Sequence, residues 1–147
     1  MDFAGDFDMD FVGAKVALFI GARLLVVLRD DKPSINWPAY WDFPGGGREG
    51  DETPEETCLR ETREEVGLAL SPDDFVWKRE CVFSPGRASY FFAAHLPEGA
   101  EQDIVFGDEG QRWELWSPAD YMSHPRGIPH FKTRLAAYLT AAGLHGM

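Results

Sequence analysis

The run from Gly45 to Leu68 constrains this chain most, because a glycine-rich turn leads there into a helix that carries several carboxylates. Thr53, Pro54 and Glu56 mark the start of the helix: a Thr N-cap, Pro at the first helical position, and a Glu that closes a capping box. Gly67 marks its end, since glycine favours the left-handed conformation that terminates helices. The sequence therefore predicts a helix between Thr53 and Gly67.

Three carboxylates share one face of this helix. Glu61, Glu64 and Glu65 stand at positions i, i+3 and i+4, so their side chains project from one arc. Crowded like charges destabilise a helix, and a hard divalent cation removes that penalty. Oxygen ligands without a nearby Cys or His pair favour Mg²⁺ or Mn²⁺ over Zn²⁺. The pattern predicts a metal site for a polyphosphate, with the metal shared between carboxylates, waters and substrate phosphates.

The same run resembles the Nudix box, the signature of the Nudix hydrolases, G-x5-E-x7-R-E-U-x-E-E-x-G-U, in which U is aliphatic; the predicted helix is called the box helix. Gly46, Glu52 and the tract from Arg60 to Leu68 match it. Thr62 departs from the pattern, which should weaken the packing of the helix slightly and leave the chemistry untouched. A run of charges usually marks a solvated helix face. Here the glycine turn and the spacing of the glutamates both match the signature, which favours a functional site.

The resemblance implies an α/β/α sandwich and a divalent cation held by Glu61, Glu64 and Glu65. It also implies that the main-chain carbonyl of Gly45 is a further ligand. In such enzymes, a loop glutamate before the last strand completes the metal site or acts as general base, and Glu109 matches this position. Asp108 and Glu114 are the alternative residues for this role. A solvated acidic loop without a function is the other interpretation. The residues with a predicted catalytic role are Arg60, Glu61, Glu64 and Glu109.

The remaining candidates have alternative roles. Arg60 would orient a box carboxylate through charge-assisted hydrogen bonds, and Glu52 would be either a metal ligand or such a supporting group. Gly46 belongs to the turn that would receive the phosphates. Arg29 and Arg87 could each clamp a phosphate, although surface arginines are more often solvated.

Aromatic residues cluster just before the glycine turn. Trp37 and Tyr40 are candidates for stacking on a base, whereas Trp41 fits the core better because of its alternating strand spacing. The four histidines show no ligand spacing and are interpreted as structural or exposed.

The rest of the chain alternates strands and helices, which predicts an α+β fold with a mixed central sheet between the box helix and a C-terminal helix. The box helix should turn a second face to the core, formed by Cys58, Leu59, Thr62 and Val66. The predicted strands are Val12 to Ile20, Arg23 to Leu28, Tyr40 to Phe43, Phe75 to Phe83, Ser89 to Leu96 and Gln111 to Trp116. A helical turn is predicted over Pro118 to Met122 and a helix over Phe131 to Ala142, with Leu135, Tyr138 and Leu139 inward.

Composition limits the partners. The 147 residues predict one domain, residues 11–147, behind an acidic tail at residues 1–10, and the formal charge is −11. Such a charge repels nucleic acid polymers and anionic membranes, and no apolar run is long enough for a membrane span. With Cys58 predicted in the core, a disulfide with Cys81 is not expected, which suits the cytoplasm. The chain could be a monomer or a homodimer.

The function expected from the resemblance is Mg²⁺- or Mn²⁺-dependent hydrolysis of a nucleoside diphosphate linked to another group, releasing a nucleoside monophosphate. The Ser84-Pro85-Gly86 turn resembles one in ADP-ribose pyrophosphatases and favours a nucleotide sugar, whereas the short chain suits enzymes that act on (d)NTPs. The tract from Gly127 to His130 lacks the Asn of oxidised-guanine specialists. The alternative is a catalytically silent Nudix fold that senses nucleotides or binds a partner.

Overall fold

The computed structural model describes residues 11–144. The predicted acidic tail at residues 1–10 lies outside the described residues. Seven strands form one sheet: β1 (Gly13–Ile20), β2 (Arg23–Leu28), β3 (Trp41–Asp42), β4 (Gly45–Gly47), β5 (Phe75–Ser84), β6 (Arg87–Leu96) and β7 (Arg112–Trp116). The helices are α1 (Pro54–Val66), α2 (Pro118–Ser123) and α3 (Pro129–Ala142), with 3₁₀ turns at Pro72–Asp74 and Ala100–Asp103.

The sheet is mixed, as predicted. Its main order is β3-β2-β1-β6-β5, with β4 paired to β1 and β7 paired to β2. The β1–β6 pair is parallel, and the other strand pairs of the described sheet are antiparallel. The two apolar runs at the N-terminal side form the predicted hairpin through Gly21, whose φ of 61° suits a tight turn.

Successive residues of β1 face opposite layers, because side chains alternate along a strand. Val16, Leu18 and Ile20 belong to a buried cluster with Cys58 and Val66 of α1. Ala17 and Phe19 belong to the other cluster, which includes Tyr121 of α2 and Leu135 and Tyr138 of α3. The sheet is therefore covered on both faces, which confirms the α/β/α sandwich.

Helix α1 begins and ends as its sequence predicts. The Thr53 side chain accepts from the Glu56 N–H, and the Glu56 side chain accepts from the Thr53 N–H, which completes the capping box. Gly67 ends the helix with a φ of 72°. One detail of the predicted core stripe was wrong: Leu59 is partly exposed, and Thr57 is buried instead. Leu59 follows Cys58 by one residue, so its side chain points about 100° away from that of Cys58 around the helix axis.

Other elements differ from prediction at their ends. Helix α3 begins two residues early, at Pro129, which is favoured at a first helical position. Strand β3 is shorter than expected, and β4 was not predicted. Trp41 is buried in the core, and Cys58 and Cys81 are both free thiols. None of the described helices is long and apolar enough to cross a bilayer.

Candidate functional site

The site is built around the turn from β3 to β4, which lies directly on β1. Gly45 pairs with Lys15 across the β1–β4 ladder. Its φ is 129°, and a Cβ there would collide with the carbonyl of Ala14. Only glycine fits this close approach, so the turn positions its backbone carbonyls against β1.

Lys15 holds this turn from β1. Its ammonium donates to the carbonyl oxygens of Phe43 at 3.2 Å and Gly45 at 3.0 Å, and to Asp42 Oδ2 at 3.0 Å. The N–H of Val16 donates to the carbonyl of Pro44 at 2.9 Å. Three consecutive carbonyls are thereby fixed by two residues of one strand.

Asp42 is a buried carboxylate at the end of β3, with 5% of its surface exposed. Its Oδ2 also accepts from Arg29 Nη1 at 2.8 Å, and its Oδ1 accepts from the N–H of Phe43 at 2.7 Å. Arg29 further donates from Nε to the carbonyl of Asn36 at 2.9 Å. The predicted phosphate-binding Arg29 is therefore oriented by fixed partners and is not simply solvated.

Opposite this turn, α1 carries its carboxylates. Burial raises the pKa of Glu65 to about 8; the Lys15 charge opposes this, and the neighbouring Asp42 and Glu61 carboxylates raise the pKa further, Glu61 also through a hydrogen bond. A Cβ on Gly46 would lie 2.5 Å from Oε2 of Glu61. The absence of a side chain at Gly46 therefore makes room for the Glu61 carboxylate beside the turn.

Arg60 ties α1 to the loop before it. Its Nε and Nη2 donate to Glu52 Oε2 and Oε1 at 2.7 and 3.0 Å, and Nη2 donates to the Gly47 carbonyl at 2.8 Å. Its Nη1 donates to Glu61 Oε1 at 2.8 Å and to Glu64 Oε2 at 3.2 Å. These contacts raise the pKa of Arg60, chiefly through the Glu52 hydrogen bond, and they hold the Glu61 carboxylate in place.

Both oxygens of Glu52 are used by donors. Oε1 accepts from Thr57 Oγ1 at 3.0 Å and from the N–H of Glu49 at 2.9 Å, in addition to Arg60. The Arg60 hydrogen bond lowers the pKa of Glu52 to about 2, against a smaller opposing effect of burial. This arrangement favours the supporting role of Glu52 over the ligand role.

Glu109 reaches the site from a loop that is anchored at both ends. The N–H groups of Val105 and Gly107 donate to the last carbonyls of α1, at 2.9 and 2.8 Å. The N–H of Gln111 donates to the last carbonyl of β2 at 2.8 Å. Of the three acidic candidates in this region, Glu109 lines the cavity described below, whereas Glu114 accepts from Arg112 and Trp116.

These elements line a cavity of about 390 Å³ that is open to solvent. Both acidic and basic side chains line it, together with the glycine turn. The lining residues are Lys15, Val27, Arg29, Asp30, Lys32, Ile35, Asp42, Gly45, Gly46, Gly47, Glu61, Glu65, Glu109 and Gly110. Six residues predicted for the site, Arg29, Gly45, Gly46, Glu61, Glu65 and Glu109, are therefore brought together.

Other predicted site residues lie outside this lining. Glu64 has 59% of its side chain exposed and borders a separate shallow groove on α1. Trp37 and Tyr40 pack edge to face, with ring centroids 5.0 Å apart, in the loop that leads from Arg29 to β3. Arg87 lies at the β5–β6 turn with its guanidinium over the Phe83 ring. The roles of these four residues stay predictions.

The donor set fits a hard divalent cation. The Gly45 carbonyl, Glu61 and Glu65 supply oxygen atoms to one cavity, and the raised pKa of Glu65 shows that its negative charge is poorly compensated by the protein. Among the described residues, no three His, Cys, Asp or Glu side chains converge closely enough to hold a metal alone. Such a site suits Mg²⁺, which usually keeps waters and substrate phosphates as ligands.

Sequence reasoning missed Lys15 and Asp42. A single lysine within the apolar run of β1 was the available signal for the first, since a charged residue on a buried strand needs a partner. The acid directly before Phe43-Pro44-Gly45 was the signal for the second. Neither signal names the partner, because the two residues lie 27 positions apart in the chain.

A family model of the NUDIX domain matches residues 10–138. The chain belongs to the NUDIX family. This confirms the resemblance seen in the sequence, and the chain is a Nudix hydrolase.

Its relatives carry several substrate names. The RNA pyrophosphohydrolase of Gluconacetobacter diazotrophicus is 46% identical over 128 residues, covering 75% of this chain and 76% of that protein. Nucleoside triphosphatase NudI of Escherichia coli O81 is 29% identical over 122 residues, covering 77% of this chain and 85% of that protein. The match covers 56% of the RNA pyrophosphohydrolase of a Marinomonas species.

Solved structures share the fold. The crystal structure of a MutT protein from Methanosarcina mazei superposes with a TM-score of 0.71 at 17% identity, covering 90% of this chain and 95% of that chain. An α+β Nudix sandwich is therefore the observed architecture.

Proposed function

We propose that this Nudix hydrolase uses Mg²⁺ or Mn²⁺ to cleave a phosphoanhydride bond in a small nucleotide, with a nucleoside triphosphate as the leading candidate. One observation carries the proposal: the Gly45 carbonyl, Glu61 and Glu65 share a cavity with the basic side chains of Arg29 and Lys32. The lining of this cavity therefore includes both oxygen ligands for a cation and cationic groups for phosphate.

The metal would be held by Glu61, Glu65 and the Gly45 carbonyl, with Glu64 as a further predicted ligand. When bound, a divalent cation would neutralise charge on the phosphate oxygens. Arg29 would contact a phosphate from the β2 side, since its guanidinium is pre-oriented by Asp42. A box glutamate or Glu109 would accept the proton of the attacking water.

The substrate class is inferred from the cavity and the relatives together. One relative is named as an RNA pyrophosphohydrolase and another as a nucleoside triphosphatase. The formal charge of −11 disfavours a polynucleotide, so a free nucleotide is the better candidate for this chain. Nucleotide sugars such as ADP-ribose remain in the same reaction class.

A substrate panel tests the proposal. Nucleoside and deoxynucleoside triphosphates, ADP-ribose, nucleotide sugars, dinucleoside polyphosphates and 5′-triphosphorylated RNA would be incubated with Mg²⁺ or Mn²⁺, and the products identified. We expect metal-dependent release of a nucleoside monophosphate from a triphosphate, and its loss in Glu61→Gln. Glu55→Gln is the matched control, because Glu55 lies on the same helix but pairs with Lys78.

The rival function is a silent Nudix fold that binds nucleotides without turning them over. Saturable nucleotide binding without product from any substrate, in the presence of either metal, would favour that rival.

A further inference from the structure

Lys15 occupies an unusual place in this site. Its ammonium has three N–H donors, and the structure gives it three acceptors: Asp42 Oδ2 and the carbonyls of Phe43 and Gly45, at 3.0, 3.2 and 3.0 Å. The side chain is 20% exposed. Every donor of this partly buried cation is therefore directed at an oxygen atom of β3 or of the turn that follows it.

One of these oxygen atoms, the Gly45 carbonyl oxygen, is also a proposed ligand for a divalent cation. The Gly45 carbonyl and the Glu65 carboxylate belong to the donor set proposed above for the metal. Burial disfavours the charged form of Lys15, but Asp42 and Glu65 favour it more strongly and raise its pKa. An ammonium is a compact point charge with a strong preference for oxygen acceptors.

Two cations on one carbonyl oxygen repel each other strongly in a partly buried site. Lys15 is anchored to β1, where it pairs with Gly45 across the β1–β4 ladder, and Glu65 lines the same cavity. A flexible four-carbon stem allows the ammonium to leave Gly45 and keep its bond to Asp42.

We propose that Lys15 is a built-in competitor for the metal: its ammonium binds the Gly45 carbonyl when no cation is bound, and metal loading displaces it from that oxygen. The proposal rests on the proposed function, because it assumes that Gly45, Glu61 and Glu65 receive the metal. Lys15 is then a positioning residue that occupies the Gly45 oxygen until a metal arrives, and it thereby sets the metal affinity of the free enzyme.

The alternative is a permanent pin, in which Lys15 stays on the Gly45 carbonyl and orients it for the metal. The two roles predict opposite effects of removing the charge. A competitor weakens metal binding, so its loss strengthens binding. A pin supports metal binding, so its loss weakens binding.

The test measures Mn²⁺ affinity by electron paramagnetic resonance of free Mn²⁺, with no substrate present. Lys15→Met keeps the length of the side chain and removes its charge, and we expect it to bind Mn²⁺ at least about tenfold more tightly than the wild type. Lys15→Arg, which keeps a cation, should stay near wild-type affinity. If Lys15→Met does not fold, Lys15→Gln carries the same expectation, since it retains one donor group without charge.

Lys32→Met is the matched control, because Lys32 lines the same cavity but is 63% exposed and lies 3.8 Å from Asp30. Its effect on Mn²⁺ affinity should stay within about threefold, since exposed charges are well screened. Affinity in Lys15→Met that is unchanged, weaker, or matched by Lys32→Met would overturn the proposal.

This test and the substrate panel can fail independently of each other. An enzyme that hydrolyses triphosphates while Lys15→Met fails to tighten Mn²⁺ binding retains the proposed function and loses this inference. Absence of Mn²⁺ binding in the wild type and in all Lys15 variants would overturn the inference as well. A structure of the Mn²⁺-loaded protein should show the Lys15 ammonium beyond about 3.5 Å from the Gly45 oxygen, and a retained hydrogen bond there would contradict the proposal.

Discussion

The carboxylate of Glu61 lies where a side chain at Gly46 would project: a Cβ built on Gly46 stands 2.5 Å from Oε2 and 2.6 Å from Cδ of Glu61. Arg60 fixes this carboxylate through its other oxygen, with Nη1 donating to Oε1 at 2.8 Å. The box glycine is therefore explained by the space that a box glutamate needs, and by no requirement for an unusual backbone at that position.

Replacing Gly46 by Ala should displace the Glu61 carboxylate. We expect kcat for the best substrate to fall about tenfold or more, a loss of at least ~1.4 kcal/mol, with little loss of stability because a carboxylate end can move. Steady-state kinetics and a thermal melt measure the two effects. Gly47→Ala is the control, because its Cβ would meet only the Val12 carbonyl at 3.9 Å; equal losses in both variants would refute the explanation.

The poorly compensated charge of Glu65 should appear in the pH dependence of stability. Its pKa is about 8 in the folded protein and about 4.3 in an unfolded chain. Between these values the folded state keeps a proton that the unfolded state has lost, so stability falls as pH rises through that window. Glu65→Gln should remove this slope in excess EDTA and be more stable than wild type at pH 8, by at least about 1 kcal/mol, since solvent at this partly exposed side chain weakens the full effect of the pKa shift.

Urea unfolding at several pH values between 4 and 8 measures this effect. Glu64→Gln serves as the control, since the Glu64 side chain is 59% exposed. Parallel stability curves for wild type and Glu65→Gln would show that Glu65 ionises in the folded protein as it does in water.

Metal binding should stabilise the wild-type protein. A cation that binds only the folded state raises stability by RT ln(1 + [L]/Kd), about 2.7 kcal/mol at a hundredfold excess over Kd. We therefore expect millimolar Mg²⁺ or Mn²⁺ to raise Tm by several degrees, and to do so less in Glu61→Gln and Glu65→Gln. A melt that no divalent cation shifts would show that the free enzyme has no assembled site.

Arg60 should not be replaceable by Lys. An ammonium can make at most three hydrogen bonds, whereas Arg60 contacts Glu52, Glu61, Glu64 and the Gly47 carbonyl. Arg60→Lys should cost about 1–2 kcal/mol of stability and lower kcat. Arg63→Lys, on the exposed side of the same helix, should cost less.

The pKa of Glu52 provides a second measurement of the effect of Arg60→Lys. It is about 2 in the wild type, so Glu52 stabilises the fold above pH ~4.3 and loses this contribution as pH falls towards 2. Arg60→Lys should raise this pKa towards its ordinary range, as NMR titration of the carboxyl carbon would show. A pKa that stays near 2 would mean that Arg60 is not its cause.

Local signals in the sequence predicted the largest part of the fold. The capping box at Thr53 and the terminating Gly67 depend on neighbours within a few residues, so the bounds of α1 could be inferred correctly. The apolar runs of β1 and β2 were equally clear. By contrast, β4 consists of Gly45, Gly46 and Gly47, and glycine has low strand propensity, so its pairing with β1 gave no local signal.

The site residues within the motif could be predicted, because the motif sets their spacing along one helix. The contacts between segments that are distant in the sequence could not. Glu61 and Glu65 follow from helical periodicity. The contact of Lys15 with Gly45 spans 30 positions, and it depends on the register of β1 against β4, which a single sequence does not encode locally. Glu109 was named from the resemblance, but its place in the cavity depends on a loop held by the ends of α1 and β2.

The most direct test of the central claim is hydrolysis of the best nucleotide substrate in ¹⁸O-labelled water with Mg²⁺, followed by mass spectrometry of the products. Attack of water at phosphorus in a metal-dependent site predicts one labelled oxygen on a phosphate-bearing product, no turnover in excess EDTA, and no turnover of a nucleoside monophosphate, which has no anhydride. Label on a ribose carbon, undiminished turnover in EDTA, or brisk hydrolysis of a monophosphate ester would contradict the account.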